Sequence, residues 1–172
     1  EMARGLGDVY KRQKHDGNRR KVESLPPGSL QYQEESKTMF SSFQAVERVV
    51  YGRGVAAKLG DEVLRLGCRT VAVITDKGLV DAGIHTPLMA SLKGAGVETL
   101  LYDQAELDPT PASIEKAAAW VRQNKVELLV GLGGGSALDS TKATALLAVH
   151  EGPMSRYFGL HKVPSACMPT IL

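Results

Sequence analysis

Short runs of apolar residues alternate with stretches of helical periodicity from about residue 39 onward. Residues 71–74 and 126–130 have the length and the β-branched or leucine-rich character of buried strands, and residues 97–102 share this character. Single helical stretches separate these runs, and strands that are apolar throughout are typical of a sheet covered on both faces. The pattern therefore predicts an α/β fold with a doubly wound parallel sheet and right-handed crossovers.

The remaining predicted elements continue this alternation. A further strand is predicted at residues 49–51. The helix predicted after it has one apolar face, formed by Val55, Leu59, Val63 and Leu66. Further helices are predicted at residues 87–92, 113–123 and 137–149.

The first 38 residues differ in composition from the rest of the chain. Residues 1–25 contain seven basic and four acidic side chains, and residues 26–29 read Pro-Pro-Gly-Ser. Because this part also lacks apolar periodicity, we predict a disordered or extraneous head at residues 1–38 and a folded domain at residues 39–172. A nucleic-acid-binding arm is the less favoured interpretation of the head, since the whole chain has a formal net charge of only +2.

Composition limits the class of protein further. The 172 residues are 43% hydrophobic and 23% charged, which is ordinary for a globular domain. The sequence contains neither an apolar run long enough to span a membrane nor an N-terminal apolar stretch typical of a secretory signal. Cys68 and Cys167 are far apart and lack CxxC spacing, so they predict neither a disulfide framework nor a zinc site. We therefore expect a cytoplasmic protein with no membrane and no nucleic-acid partner.

The strongest signal for a binding site follows the strand predicted at residues 126–130. Four of the five residues 131–135 are glycine. Because glycine has no Cβ atom, a phosphate can approach the backbone amides of Gly133, Gly134 and Gly135 closely. Helix N-termini at the carboxyl ends of parallel strands also attract anions. A tight turn into a helix is the alternative, but such a turn needs one glycine rather than four.

The helix after the glycines carries two more candidate cofactor-binding residues. Ser136 and Asp139 have the spacing of a capping box, in which the serine hydroxyl would accept a hydrogen bond from a backbone amide at the start of the helix. Asp139 and Lys142 are three positions apart on one helix face, so we interpret Lys142 as part of a surface ion pair.

Two aspartates follow the other predicted strands. Asp76 comes shortly after the strand at residues 71–74, where its carboxylate can accept hydrogen bonds from ribose hydroxyls and would repel a 2′-phosphate. This position favours NAD over NADP, although a helix-cap or turn aspartate is an alternative for Asp76. Asp108 precedes Pro109 and is typical of a turn, on the edge of the sheet where a cofactor would lie. Because the acidic residue precedes the glycines, the order is not that of the ordinary dinucleotide-binding fingerprint.

No catalytic acid, base or nucleophile and no metal ligand is predicted within the chain. Ser136 lacks the Gly-x-Ser-x-Gly elbow of hydrolases and has no evident histidine partner. The spacing of the histidines is not that of a metal site. These histidines are His15, His85, His150 and His161.

Four segments, taken together, resemble one enzyme family. They are Tyr-Gly-Arg-Gly at residues 51–54, Thr-Asp-Lys-Gly-Leu at 75–79, Asp-Pro-Thr at 108–110, and Gly-Gly-Gly-Ser-Ala-Leu-Asp-Ser-Thr-Lys at 133–142. The chain resembles the iron-containing (group III) alcohol dehydrogenases, relatives of dehydroquinate synthase and glycerol dehydrogenase. The resemblance covers about residues 39–172 and is most specific in the last segment, whose order and spacing fit as a block. Asp108 stands where the family has asparagine.

The resemblance implies a Rossmann-like N-terminal domain that binds NAD(P), of the kind found in dehydroquinate synthase. It also implies a C-terminal helical domain that supplies an aspartate and three histidines to Fe²⁺ or another divalent metal. Only the first domain is expected within these residues, truncated at its C-terminal end. We therefore predict that the 172 residues alone are catalytically inactive.

For the full-length parent, the resemblance implies hydride transfer between a small alcohol or aldehyde and a nicotinamide cofactor. It leaves open a homo-oligomer of that full-length protein. A function of a different class is the alternative, namely a stand-alone nucleotide- or phosphate-binding module without catalytic activity.

Overall fold

The computed structural model describes residues 46–159, 161–164 and 167–172. The head predicted at residues 1–38 lies outside the described residues. The strands of the described part are β1 (Thr70–Ile74), β2 (Glu98–Tyr102), β3 (Leu128–Gly131) and β4 (Thr170–Ile171). Its α-helices are α1 (Leu59–Arg65), α2 (Lys77–Asp81), α3 (Thr86–Gly94), α4 (Pro111–Gln123) and α5 (Gly135–Val149), and short 3-10 helices lie at Val55–Lys58 and Met154–Tyr157.

The four strands form one parallel sheet in the order β2-β1-β3-β4. β1 pairs with β2 from Thr70 opposite Glu98 to Ile74 opposite Tyr102. Because β1 also pairs with β3, it occupies the centre of the sheet, and the chain reverses its direction of winding between β2 and β3. This arrangement confirms the predicted parallel α/β sheet.

Helices cover both faces of the sheet because the residues of β1 alternate between two apolar clusters. Val71 and Val73 are fully buried in a cluster with residues of α1 and α3. Ala72 and Ile74 are buried in a second cluster with residues of α4 and α5. Burial of each large aliphatic side chain contributes about 1.5–3 kcal/mol, so a strand buried on both faces holds the sheet centre in place.

Close packing between β3 and α5 positions the start of α5. A Cβ atom on Gly131 would lie 2.7 Å from Thr141 Oγ1 and 2.9 Å from Leu172 Cδ2, so only glycine allows this approach. The Thr141 hydroxyl donates a hydrogen bond to the Ala137 carbonyl at 2.8 Å, which satisfies a fully buried polar group. The helix is therefore held against the end of the strand that precedes the glycine-rich segment.

The strand predicted at residues 49–51 is wrong. This segment has no regular secondary structure, and Val49 and Tyr51 are 71% and 90% exposed. The segment lies next to Arg48, which donates a hydrogen bond to Glu62 on α1 at 2.9 Å. An apolar run becomes a strand only where a neighbouring strand accepts its backbone hydrogen bonds, and the sequence pattern contained no information on that neighbour.

The helix predicted from Val55 to Leu66 is confirmed in part. A 3-10 helix precedes α1, and the apolar face that faces the core consists of Leu59 and Val63, which are 7% and 0% exposed. Leu66 lies beyond the end of α1 and is 37% exposed.

The two cysteines carry free thiols. Burial raises the pKa of Cys68, with a further contribution from the Glu127 carboxylate, and burial also raises the pKa of Cys167. Both therefore stay protonated at neutral pH.

Within the ranges described, no helix combines the length and the apolar character needed to cross a membrane.

Candidate functional site

The segments that follow β1, β2 and β3 meet at the carboxyl edge of the sheet. The strand order places β1 between β2 and β3, so the segment after β1 has the other two as neighbours. An antiparallel bridge between Asp76 and Gln104 joins the segment after β1 to the segment after β2. Parallel α/β sheets bind ligands at this edge, next to the place where the chain reverses its direction of winding. In this chain the reversal occurs between β2 and β3.

The glycine-rich segment leaves open space at the start of α5. Gly134 is the N-cap residue, with φ of −81°, and no side chain caps the helix. A Cβ atom built on Gly134 or on Gly135 would meet no other atom within 4 Å, and both residues are exposed. The first-turn amides of a helix have no intrahelical acceptors and carry the positive end of the helix dipole. The start of this 15-residue helix is thus an uncapped anion cradle.

Gly133 brings the glycine-rich segment against the loop that follows β1. Its φ of +149° is in the region that favours glycine. A Cβ atom on Gly133 would lie 2.7 Å from Ala137 Cβ, 3.3 Å from Leu79 Cδ1 and 3.8 Å from Asp76 Oδ2. The Asp76 carboxylate therefore lies beside the glycine-rich segment. A residue that binds the ribose next to a pyrophosphate would have to occupy such a position.

Asp76 is the N-cap residue of α2, so the helix-cap alternative for this residue is confirmed. Its Oδ1 atom accepts a hydrogen bond from the Leu79 amide at 3.0 Å, and the residue is half-buried. Its Oδ2 atom is the oxygen on the side of Gly133. Capping occupies one carboxylate oxygen, so this geometry is compatible with a second hydrogen bond to a ribose hydroxyl. That second role stays a prediction.

The capping box predicted for Ser136 and Asp139 is wrong. The motif would start the helix at Ala137, but it begins two residues earlier, at Gly135, so Ser136 lies inside the first turn. Its hydroxyl donates a hydrogen bond to the carbonyl of Leu107. Asp139 is exposed and forms an ion pair with Lys142, whose Nζ donates to Oδ1 at 3.0 Å. The ion pair predicted for Lys142 is confirmed, and a cofactor-binding role for Asp139 stays a prediction.

Asp108 lies on the segment after β2 and is exposed. The turn predicted there leads into α4, whose N-cap residue is Thr110. The Thr110 side chain accepts a hydrogen bond from the Ser113 amide at 3.2 Å, and the Ser113 hydroxyl accepts one from the Thr110 amide at 3.1 Å. This reciprocal cap was missed by the sequence analysis, although a Thr three positions before a Ser at the start of a helix could have indicated it. The cofactor role of Asp108 stays a prediction.

The segment after β2 starts from a rigid point. Tyr102, the last residue of β2, is 5% exposed, and its ring centroid lies 5.2 Å from that of Trp120 on α4. Burial raises the pKa of Tyr102, and the nearby Glu106 and Asp103 carboxylates raise it further. The phenol therefore stays neutral at physiological pH and acts as a packing group rather than as a charged ligand.

The part of the chain that the structure describes contains no group of three or more His, Cys, Asp or Glu side chains able to hold a metal ion. His15 lies outside the described residues. The donor set implied for iron is thus not found among them, whereas the open start of α5 fits the pyrophosphate of a dinucleotide.

The sequence of this chain is similar to those of known proteins. The family model described as iron-containing alcohol dehydrogenase matches residues 46–172. Sulfoacetaldehyde reductase of Bilophila wadsworthia is 37% identical over 127 residues, which are 74% of this chain and 33% of that protein. The chain therefore spans about a third of the length of this curated relative.

Two solved structures share the fold. NADH-dependent butanol dehydrogenase A from Thermotoga maritima superposes with a TM-score of 0.69 at 28% identity, over 76% of this chain and 33% of that one. Sulfoacetaldehyde reductase from Bifidobacterium kashiwanohense, solved in complex with NAD+, superposes with a TM-score of 0.63 at 27% identity, over 69% of this chain and 31% of that one. With a family model matching most of its residues, the chain belongs to the iron-containing alcohol dehydrogenase family.

Proposed function

We propose that this chain provides the NAD-binding portion of a metal-dependent alcohol dehydrogenase that acts on a small alcohol or aldehyde. The observation that carries the proposal is the open space at Gly134 and Gly135, at the uncapped start of α5. The names of two similar structures support it, since one is an NADH-dependent butanol dehydrogenase and the other a reductase in complex with NAD+. When bound at these residues, the cofactor would supply a nicotinamide ring able to accept or return a hydride.

The described residues would bind and orient the dinucleotide. The first-turn amides of α5 would hold the pyrophosphate through charge-assisted hydrogen bonds. The Asp76 carboxylate, with one oxygen on the side of Gly133, would accept a hydrogen bond from a ribose hydroxyl. A 2′-phosphate at that place would be repelled by the carboxylate, so we propose NAD rather than NADP as the cofactor.

We propose no metal site within the described residues. The described residues do not bring together a set of donors for iron or another divalent cation. We therefore assign these residues to cofactor binding and not to metal binding. The cytoplasmic location predicted from the sequence stays a prediction.

Titration of the 172-residue chain with NADH and with NADPH tests the proposal. We expect NADH to bind more tightly, because only NADPH places a phosphate against Asp76. The Asp76→Asn variant retains a capping side chain but removes the charge, so it should narrow the difference between the two affinities. Equal affinities for the two cofactors in the unmodified protein would contradict the ribose role of Asp76, and no binding of either would contradict the proposal itself.

A further inference from the structure

One hydrogen bond joins two parts of the candidate site that are distant in sequence. The hydroxyl of Ser136, in the first turn of α5, donates to the carbonyl of Leu107, which lies 29 positions earlier on the segment after β2. The sequence motif assigned this hydroxyl to helix capping, and the structure gives it a different partner. The bond ties the position of Leu107 to the start of the helix that forms the anion cradle.

Hydrogen bonds of neighbouring side chains also hold the segment around Leu107. The Lys116 ammonium donates a hydrogen bond to Gln104 Oε1 at 2.7 Å, and Gln104 bridges to Asp76. The Glu106 carboxylate accepts a hydrogen bond from the Thr110 hydroxyl at 3.3 Å. Leu107 lies between these anchors, yet its side chain is 86% exposed. Leu107 is therefore an exposed apolar residue on a segment that hydrogen bonds tie to its neighbours.

The strand order indicates which part of a dinucleotide would meet this surface. The anion cradle at the start of α5 follows β3, and Asp76 follows β1, which is the neighbour of β3 in the sheet. An acidic residue that discriminates against a 2′-phosphate contacts the adenosine ribose, so the adenosine half extends from β3 toward β1. The strand beyond β1 is β2, and Leu107 lies on the segment after β2.

We propose that the Leu107 side chain packs against the adenine ring of the bound cofactor and that Ser136 is the positioning residue that holds Leu107 there. The inference rests on the proposed function, because it needs a dinucleotide on the cradle of α5. It differs from a phosphate-binding role for Ser136, since the hydroxyl acts through the Leu107 carbonyl and the phosphate is held by backbone amides.

A double-mutant cycle with Leu107→Ala and Ser136→Ala tests the coupling. The dissociation constants of NADH and of inorganic pyrophosphate are measured for the full 172-residue chain and for each variant. Partial burial of a leucine against an aromatic ring predicts roughly fivefold weaker NADH binding for Leu107→Ala. Ser136→Ala should weaken NADH binding to a similar degree, Ser136→Thr should restore it, and pyrophosphate should bind all variants equally.

The double variant should bind NADH as tightly as the single variant with the lower NADH affinity, because both substitutions remove the same contact between Leu107 and the adenine ring. Val149→Ala is the matched control, since Val149 is 50% exposed at the opposite end of α5 and should leave both affinities unchanged. The inference is overturned if the losses of NADH affinity in the two single variants multiply in the double variant, or if Ser136→Ala binds pyrophosphate more weakly. Neither result would contradict the proposed function. An unmodified chain that does not bind NADH overturns the proposed function and the inference with it, whether or not it binds pyrophosphate.

Discussion

Substitution of Gly135 by alanine is expected to separate cofactor binding from folding. Gly135 is the first residue of α5, and a Cβ atom there would meet no protein atom within 4 Å. Alanine has a higher helix propensity than glycine, so the variant should be as stable as the unmodified chain or more stable by up to about 1 kcal/mol. The new methyl group would nevertheless project toward the helix N-terminus, because Cα–Cβ bonds tilt in that direction.

The methyl group should weaken NADH binding by at least roughly 100-fold. It occupies the space through which a phosphate oxygen reaches the first-turn amides. Displacement of the pyrophosphate would break two charge-assisted hydrogen bonds of about 1.5–3 kcal/mol each. A loss of about 3 kcal/mol corresponds to a change of somewhat more than 100-fold in the dissociation constant.

Two measurements on the same preparation check this prediction, namely fluorescence titration with NADH and thermal unfolding. Gly133→Ala serves as the contrasting variant, since its φ of +149° and the 2.7 Å approach to Ala137 Cβ strain the folded state. That variant should unfold at a lower temperature, with a stability loss of about 1–3 kcal/mol. If Gly135→Ala binds NADH as tightly as the unmodified chain does, the cradle at the start of α5 is not the pyrophosphate site and our reasoning is refuted.

Three further predictions concern the loop after β1, the start of β1 and the activity of the chain. Asp76→Ala should destabilise the fold by about 1 kcal/mol because it removes the cap on the Leu79 amide, whereas Asp76→Asn should retain most of that stability; urea unfolding of both variants distinguishes the two outcomes. Glu127 accepts hydrogen bonds from the backbone amides of Arg69 and Thr70 at 2.6 and 3.1 Å, and these bonds lower the pKa of its carboxyl group. A carboxyl group whose pKa is lower in the folded state stabilises the fold above its unfolded-state pKa and loses that contribution as the pH falls through the folded-state value. Unfolding measured between pH 7 and pH 3 should therefore show a smaller acid-induced loss of stability in Glu127→Gln than in the unmodified chain, and equal losses would contradict the assignment. Finally, we expect the 172 residues alone to produce no NADH from NAD and a small alcohol in the presence of Fe²⁺, as the resemblance implies; alcohol-dependent absorbance at 340 nm above the protein-free control would contradict this.

The apolar runs and their spacing were sufficient to predict most of the fold. Residues 71–74 and 97–102 coincide with β1 and β2 to within one residue, since each run is mostly apolar and bounded by turn-forming residues. Residues 49–51 are equally apolar but exposed, because an apolar run reports a preference for burial and not the presence of a strand beside it.

The glycines of the candidate site could also be predicted, whereas the partners of the polar side chains could not. The absence of Cβ atoms at Gly134 and Gly135 is a property of the sequence, whereas the open space beside them depends on packing, since neighbouring side chains fill the corresponding space at Gly131. The bond of Ser136 depends on Leu107, which is separated from α5 in the chain by one helix and one strand. The spacing of Ser136 and Asp139 therefore suggested a local cap that the folded chain does not form.

The sequence by itself determined the alternation of strands and helices and the glycine-rich segment at the end of β3, because hydrophobic periodicity and the lack of a Cβ atom are local properties. Only the tertiary structure decided that Asp76 faces Gly133 and that Ser136 holds Leu107. The physical reason is that a side-chain hydrogen bond forms with whichever group packing brings within about 3 Å, and that group is often remote in the chain.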